Sequence, residues 1–386
     1  MSRGKKRIFI SDIHMGDERS WSAQHSYVWF RNNVSLFADF LKGLLQAPDV
    51  SEVIILGDLF DQWFIPANYS PIPRLETICA SKVYAPVIAV LKALAASADV
   101  KLAYVPGNHD MALSPAGIED TRQFLQSFFS GIDFICDQTI PLGTYKSGTL
   151  VAEHGNRYCL FNAPDSASNS GACFLPLGYF ISRLDAYRVC REGSPCSVFD
   201  IFINLARQYL EGNTHFVEDV FFATARDCGL AQGILDVSGL PGYGEKISVS
   251  DIATRFRLIA DNWGQIAGTK DIDAFTAAKD DTFGLFTAAQ SVYFHPAPES
   301  RVVIFGHTHR ADMQRDFENP GNPNYIVDPD STPCRTIYAN SGAWIDGATF
   351  GCTYVETSED ADRLYVSVKA YPDNNVINGW KGFVSL

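Results

Sequence analysis

Val53-Ile54-Ile55-Leu56-Gly57-Asp58, with Asp61 three residues on, joins a short apolar, β-branched run to a glycine and a carboxylate. Similar runs stand at Arg7 to Ile10, Glu52 to Leu56, Lys101 to Val105, Thr149 to Ala152 and Arg301 to Phe305, and they read as buried strands. Between the first three lie helical spacings: Val28, Phe30, Val34, Phe37, Leu41, Leu44 and Leu45, then Val83 to Ala96. Strand alternating with helix predicts an α/β chain with a parallel sheet.

Polar residues follow each of these strands directly. Asp12 and His14 follow the first, Asp58 and Asp61 the second, Asn108-His109-Asp110 the third, His154 the fourth, and His307-Thr308-His309 the fifth. The carboxyl ends of strands in an open parallel sheet line one crevice, so these distant residues are expected to converge there. Carboxylate, imidazole and amide groups without a thiolate suit hard or borderline divalent ions. Seven candidate ligands (Asp12, His14, Asp58, Asn108, His154, His307 and His309) exceed what one ion takes. Two ions are expected, with a carboxylate such as Asp58 bridging them at the roughly 3.5–4 Å separation of two-metal hydrolysis. Mn, Fe, Zn or Mg would be accepted, with Mn favoured. Two divalent cations against Asp12, Asp58 and a bridging hydroxide leave the cage net positive, which draws phosphate oxygens. Asp61 is expected to orient a ligand or to touch the substrate. Asn156 and Arg157 are expected at the crevice rim, where a guanidinium fork suits a phosphoryl oxygen, or in a surface salt bridge.

The chain has 386 residues, beyond the roughly 250–300 at which single cores stop growing, so one large domain with an insertion or two domains is expected. Apolar residues make up 46% and charged residues 19%, a composition that folds. The formal charge of −13 disfavours general nucleic-acid binding. The basic start from Met1 to Arg7 is followed by only three apolar residues before Asp12, which does not read as a signal peptide, and no stretch is apolar enough to span a bilayer. Nine cysteines, an odd number without a CxxC pair, read as reduced thiols in the cytoplasm. Oligomeric state leaves no signal.

From 159 to 295 strand-like runs fade. Phe199, Phe202, Ala206 and Tyr209 mark a helix with a capping box at Ser197 and Asp200; Ile252, Phe256, Ile259 and Trp263 mark another with Ser250 as N-cap. This stretch reads as a helical insertion over the crevice. It carries 10 Lys plus Arg against 16 Asp plus Glu, so it is not a nucleic-acid clamp. Arg183, Arg188 and Arg191 beside the apolar run Phe174 to Ile181 have the makeup of a lipid or anion contact, or of an ordinary amphipathic helix. His25, His215 and His295 read as surface or capping residues. Thr336 to Ala339, Gly351 to Val355 and Leu364 to Val368 add extended segments, Asn319 to Pro333 reads as a loop, and Tyr371 to Leu386 follows no pattern.

The blocks Asp12-x-His14, Gly57-Asp58-x-x-Asp61, Gly107-Asn108-His109-Asp110, His154-Gly155 and Gly306-His307-Thr308-His309 resemble the signature of calcineurin-like metallophosphoesterases, in family order. The resemblance implies a sandwich of two β-sheets flanked by helices, with catalytic residues in 6–158 and 296–386 and the insertion at 159–295. It implies one ion on Asp12, His14, Asp58 and His309, the other on Asp58, Asn108, His154 and His307, and His109 as the acid for the leaving group, oriented by Asp110.

The implied function is hydrolysis of a phosphoester or pyrophosphate by a metal-activated water. Its substrate would be a phosphorylated small molecule or lipid headgroup, with peripheral membrane contact through the insertion. The first and last Gly blocks and Ser341-Gly-Ala-Trp344 are similar to the bacterial UDP-diacylglucosamine pyrophosphatase branch, which usually has Arg where His109 stands and a shorter insertion. A serine/threonine phosphatase would carry Arg-Gly after the second Asp, where Gln62-Trp63 stand, and the acidic balance argues against a nuclease. A non-catalytic metal-binding scaffold is the rival from another class, and the filled ligand positions argue against it.

Overall fold

The computed structural model describes residues 5–22, 25–69, 74–195, 215–266, 282–318 and 331–386. Eleven strands form one hydrogen-bonded path in the order β4-β3-β2-β1-β12-β13-β14-β11-β9-β6-β5, and a twelfth, β10, pairs with β11 at the side. The first four are β1 (Lys6–Ile10), β2 (Val50–Leu56), β3 (Lys101–Val105) and β4 (Asp133–Phe134), paired parallel. The antiparallel β12 (Cys352–Glu359), β13 (Arg363–Tyr371) and β14 (Asn375–Ser385) lead to β11 (Cys334–Asn340) and β9 (Val302–Phe305). The path ends with β6 (Leu150–Ala152) and its hairpin partner β5 (Tyr145–Ser147). The mixed α/β expectation therefore holds.

Side-chain alternation explains the layers. In β1, Ile8 and Ile10 join the apolar cluster of Val53, Ile55, Leu102 and Tyr104 with the helices α2 (Val34–Gln46) and α4 (Ala85–Ala95). Phe9, between them, points to the other face and packs with Ile54, Leu56 and Val105. That second cluster also contains Leu150, Val302, Ile304 and Ala339 from the far end of the path, so the sheet folds over on itself as a sandwich. Tyr145 of β5 closes it, its ring 5.7 Å from Phe9 and its hydroxyl donating to Glu52 at 2.7 Å.

The outer face of the second half, Val151, Val303, Phe305 and Tyr338, is covered by residues from the 159–295 stretch, among them Phe180, Phe221, Phe256 and Leu285. The elements described there include α6 (Leu177–Glu192), α7 (Phe216–Asp227), α8 (Val249–Phe256) and a two-stranded hairpin, β7 (Ile234–Asp236) with β8 (Lys246–Ser248). The helix expected at Phe199 to Tyr209, with its capping box at Ser197 and Asp200, lies outside the described residues.

Three expectations need correction. The N-cap of α8 is Ser248, whose extended backbone lets its hydroxyl accept from the Asp251 N–H at 3.0 Å; Ser250 lies inside the first turn. Of the two readings of the arginines, a lipid or anion contact or an ordinary amphipathic helix, the first does not hold: Arg183 is 0% exposed and Arg188 and Arg191 pair with acidic neighbours. Six strands went unread: β10 (Asp312–Phe317), β14 and the shorter β4, β5, β7 and β8. All eight cysteines among the described residues are free thiols, and no described helix is long and apolar enough to cross a membrane.

Candidate metal centre

Each candidate ligand sits where a strand gives way to a tight loop, and the loops meet backbone to backbone. A Cβ on Gly57, at φ +79°, would stand 2.5 Å from the Gly107 Cα, so only glycine lets the loops after β2 and β3 approach this closely. The neighbouring residues adopt the same left-handed conformation without being glycine: Asp12 (φ 56°), His14 (55°), Asp58 (52°), His307 (73°) and His309 (56°). Such backbones cost about 1–3 kcal/mol each and persist only where the surroundings over-determine them.

The structure brings Asp12, His14, Asp58 and His309 into one group of donor atoms, and Asp58, His154 and His307 into a second. The Nε2 atoms of His14 and His309 lie 2.9 Å apart, with Asp12 Oδ1 3.4 Å from the latter. Asp58 Oδ2 stands 3.7 Å from His14 Nε2 and 3.3 Å from His154 Nε2, so one oxygen faces both groups. Asn108 Oδ1 lies 3.0 Å from His154 Nε2 and joins the second group.

Neighbours fix these side chains. His154 Nδ1 donates to the Leu56 carbonyl at 2.7 Å, which turns Nε2 inward. Asp58 Oδ1 accepts the His109 N–H at 2.8 Å, and Asp12 Oδ2 accepts the His307 N–H at 2.9 Å. Asp12 Oδ1 is buried and accepts no hydrogen bond.

Burial and pairing set the charges of the ion-free protein. Burial opposes a charged His14, but Asp12 and Asp61 outweigh it and raise its pKa to about 10. For His154, burial is likewise overcome, by the charge and hydrogen bond of Asp58, to about 9. Asp58 and Asp61 resist the upward push of burial because imidazoles surround them, and both stay well below the usual carboxylate range. Oxygen and imidazole donors facing one another across 2.9–3.7 Å, with a buried carboxylate oxygen left unbonded, fit divalent cations.

His109, 6% exposed, lies beside both groups, and its Nδ1 is 2.8 Å from Asp61 Oδ1. Asp61 Oδ2 lies 3.4 Å from His14 Nδ1, so this carboxylate links the first group to His109. Asp110, expected to orient His109, does not do so. It turns away and accepts from the N–H groups of Leu59, Phe60 and Gly107 and from the Tyr104 hydroxyl. Burial first, and the charge of Asp58 second, lift its pKa to about 6.

Asn156 and Arg157 are also engaged within the protein. Asn156 Nδ2 donates to the Asn162 carbonyl at 3.2 Å, and Arg157 Nε lies 3.5 Å from the buried Glu153. His25 lies against Gly193, His215 precedes α7 with its Nδ1 2.8 Å from Glu218, and His295 follows a π-helical turn.

Two aromatic contributors carried no sequence signal, and Arg183 plays a part other than those read for it. Trp63, fully buried, stacks on His109 at 4.8 Å. Trp29 lies 4.7 Å from His14. Arg183 of α6 donates to the carbonyls of Ile65, Pro66, Ala67 and Tyr69 and to Asp236 O, which ties α6 to the segment after Asp61.

Residues 5–176 match the family model of calcineurin-like phosphoesterases. Over 67 residues the chain is 39% identical to a UDP-2,3-diacylglucosamine hydrolase of Actinobacillus succinogenes; the match covers 17% of this chain and about a quarter, 23%, of that one. Among solved structures, a dimetal phosphatase of Danio rerio overlaps with a TM-score of 0.41 at 11% identity, covering 100% of this chain and 99% of that one. Vacuolar protein sorting 29 of Cryptosporidium parvum does so at 0.30 and 9%, with coverage of 100% and 99%.

Proposed function

We propose that this chain, which carries a calcineurin-like phosphoesterase domain over residues 5–176, is a metal-dependent phosphoesterase with two divalent ions, Mn favoured. The observation that carries the reading is Asp58 Oδ2, shared between the two donor groups. Asp12, His14, Asp58 and His309 would hold one ion, and Asp58, Asn108, His154 and His307 the other. Divalent ions in such a cage supply Lewis acidity, which draws charge from a phosphoryl oxygen and acidifies water.

The protein's own groups do the rest. Asp61 occupies His109 Nδ1, so Nε2 is the nitrogen left to deliver a proton to a departing oxygen. Trp63 stacked on the ring and the buried Asp61 keep that imidazole in one orientation. Asp110 holds the loops after β2 and β3 together through its amide contacts. The 159–295 stretch reaches the site through α6, where Tyr179 meets Trp63 at 5.9 Å.

The substrate is proposed to be a phosphorylated small molecule, handled in the cytoplasm, where the free thiols stay reduced. The local identity to a UDP-2,3-diacylglucosamine hydrolase supports a pyrophosphate bond as the second reading.

Metal analysis of the purified chain with assays on aryl monoesters, aryl diesters and a UDP-sugar tests both. Bound metal near two per chain and turnover that chelation abolishes and Mn restores are expected. Stoichiometric metal without turnover on any of these would replace the enzyme with a binding scaffold.

A further inference from the structure

Trp29 neither offers a ligand atom nor moves a proton, yet its indole lies along the first donor group and His109. Its ring centroid is 4.7 Å from His14, 5.4 Å from His309 and 5.6 Å from His109. Phe64, 6% exposed, backs it at 4.4 Å, while Trp29 itself keeps part of its surface open beside His309, whose side chain is 26% exposed. The loop beneath is anchored: Asp346 N–H donates to the Trp29 carbonyl at 2.8 Å, and Asn32 and Asn33 are fastened to Asp346 and Trp344.

A leaving group that takes a proton from His109 Nε2 must lie on the side of the ring away from Asp61. One flank of that ring is filled by Trp63, which is 0% exposed, so no ligand reaches it there. Trp29 is the aromatic neighbour of His109 that is still open. A part-exposed indole held rigid beside a reacting group gives a planar apolar surface and no charge, which favours another ring by stacking and area burial.

Resting on the phosphoesterase reading above, we propose that Trp29 is the leaving-group wall of the site and selects phosphoesters whose alcohol carries a planar aromatic ring near the ester oxygen. It acts as a specificity-determining residue.

The test uses the full metal-loaded chain and calorimetric binding of two non-hydrolysable probes, benzylphosphonate and ethylphosphonate, with inorganic phosphate as reference. The wild type is expected to prefer benzylphosphonate by about tenfold, a ring contact's worth of affinity. Trp29→Ala should cut that preference to about twofold, with metal content and phosphate affinity kept, and Trp29→Phe should retain most of it. No preference in the wild type, a preference that survives Trp29→Ala, or equal weakening of benzylphosphonate and phosphate would overturn the proposal. Should the metal-loaded wild type bind neither phosphate nor either phosphonate, the phosphoester reading itself fails and this inference goes with it.

Discussion

The Asp61 carboxylate touches two histidines at once, His109 Nδ1 at 2.8 Å through one oxygen and His14 Nδ1 at 3.4 Å through the other. The group proposed to orient the acid therefore also faces a proposed ligand of the first ion.

Asp61→Asn should lower kcat by about 10²-fold or more, the usual range for a lost acid or base, and His109→Ala should do the same. Both losses should grow as the leaving group becomes poorer, measured across aryl esters of increasing phenol pKa. Only Asp61→Asn should also loosen metal, since its carboxylate faces a ring nitrogen of His14, whereas His109 meets that ring by an edge contact alone. Equal losses for good and poor leaving groups would remove His109 as the acid.

Asp58→Ala should abolish turnover and release both ions, because one oxygen faces both groups. Metal content after dialysis is the measurement, and retention of either ion near full occupancy would contradict the shared role.

Ion uptake should expel protons. In the ion-free protein the pKa values of His14 and His154 are raised to about 10 and about 9, so both rings are protonated at pH 7, whereas ligation needs them neutral. Release of one to two protons per chain, read by calorimetry in buffers of different ionisation enthalpy, and affinity that rises from pH 6 to 8 are expected. Because these pKa values lie above the unfolded value near 6.5, their stabilisation of the chelated protein is complete below about pH 6.5 and is lost as pH rises through 9 and 10. The melting temperature of the chelated protein should fall over that window.

Arg183→Met should destabilise the fold by about 3 kcal/mol or more, since it strips donors from several buried carbonyls at once. Denaturant titration measures it. Arg183→Lys should rescue little, because an ammonium cannot reach as many carbonyls as a guanidinium fork.

Gly57→Ala should lose metal affinity as well as stability, since its Cβ would meet the Gly107 backbone at 2.5 Å and push two ligand-bearing loops apart. Unchanged metal content would mean that the loops tolerate the separation.

Much of this was legible in the sequence because β1, β2, β3 and β9 are covered on both faces, which leaves continuous apolar runs such as Val302–Phe305. β10 interleaves Asp312, Gln314 and Asp316 with Met313, Arg315 and Phe317, and β14 carries Asn378, Gly379 and Gly382; their neighbours in the sheet, rather than their own propensity, make them strands. The candidate ligands were legible because each directly follows a strand. The partner of His109 was not: buried amides of Leu59, Phe60 and Gly107 capture Asp110, and Asp61 reaches the imidazole from another loop. Trp29 and Arg183 act through three-dimensional neighbours that no local spacing encodes.

Each donor group takes a histidine from the turn behind β9, His309 in one and His307 in the other. A chain emerging from the ribosome therefore carries two half-built nests for well over a hundred residues, and neither can close until the second half of the sandwich has been synthesised and has docked on the first. On the proposed reading, metal capture during biosynthesis would report that the two halves of the sandwich have found each other.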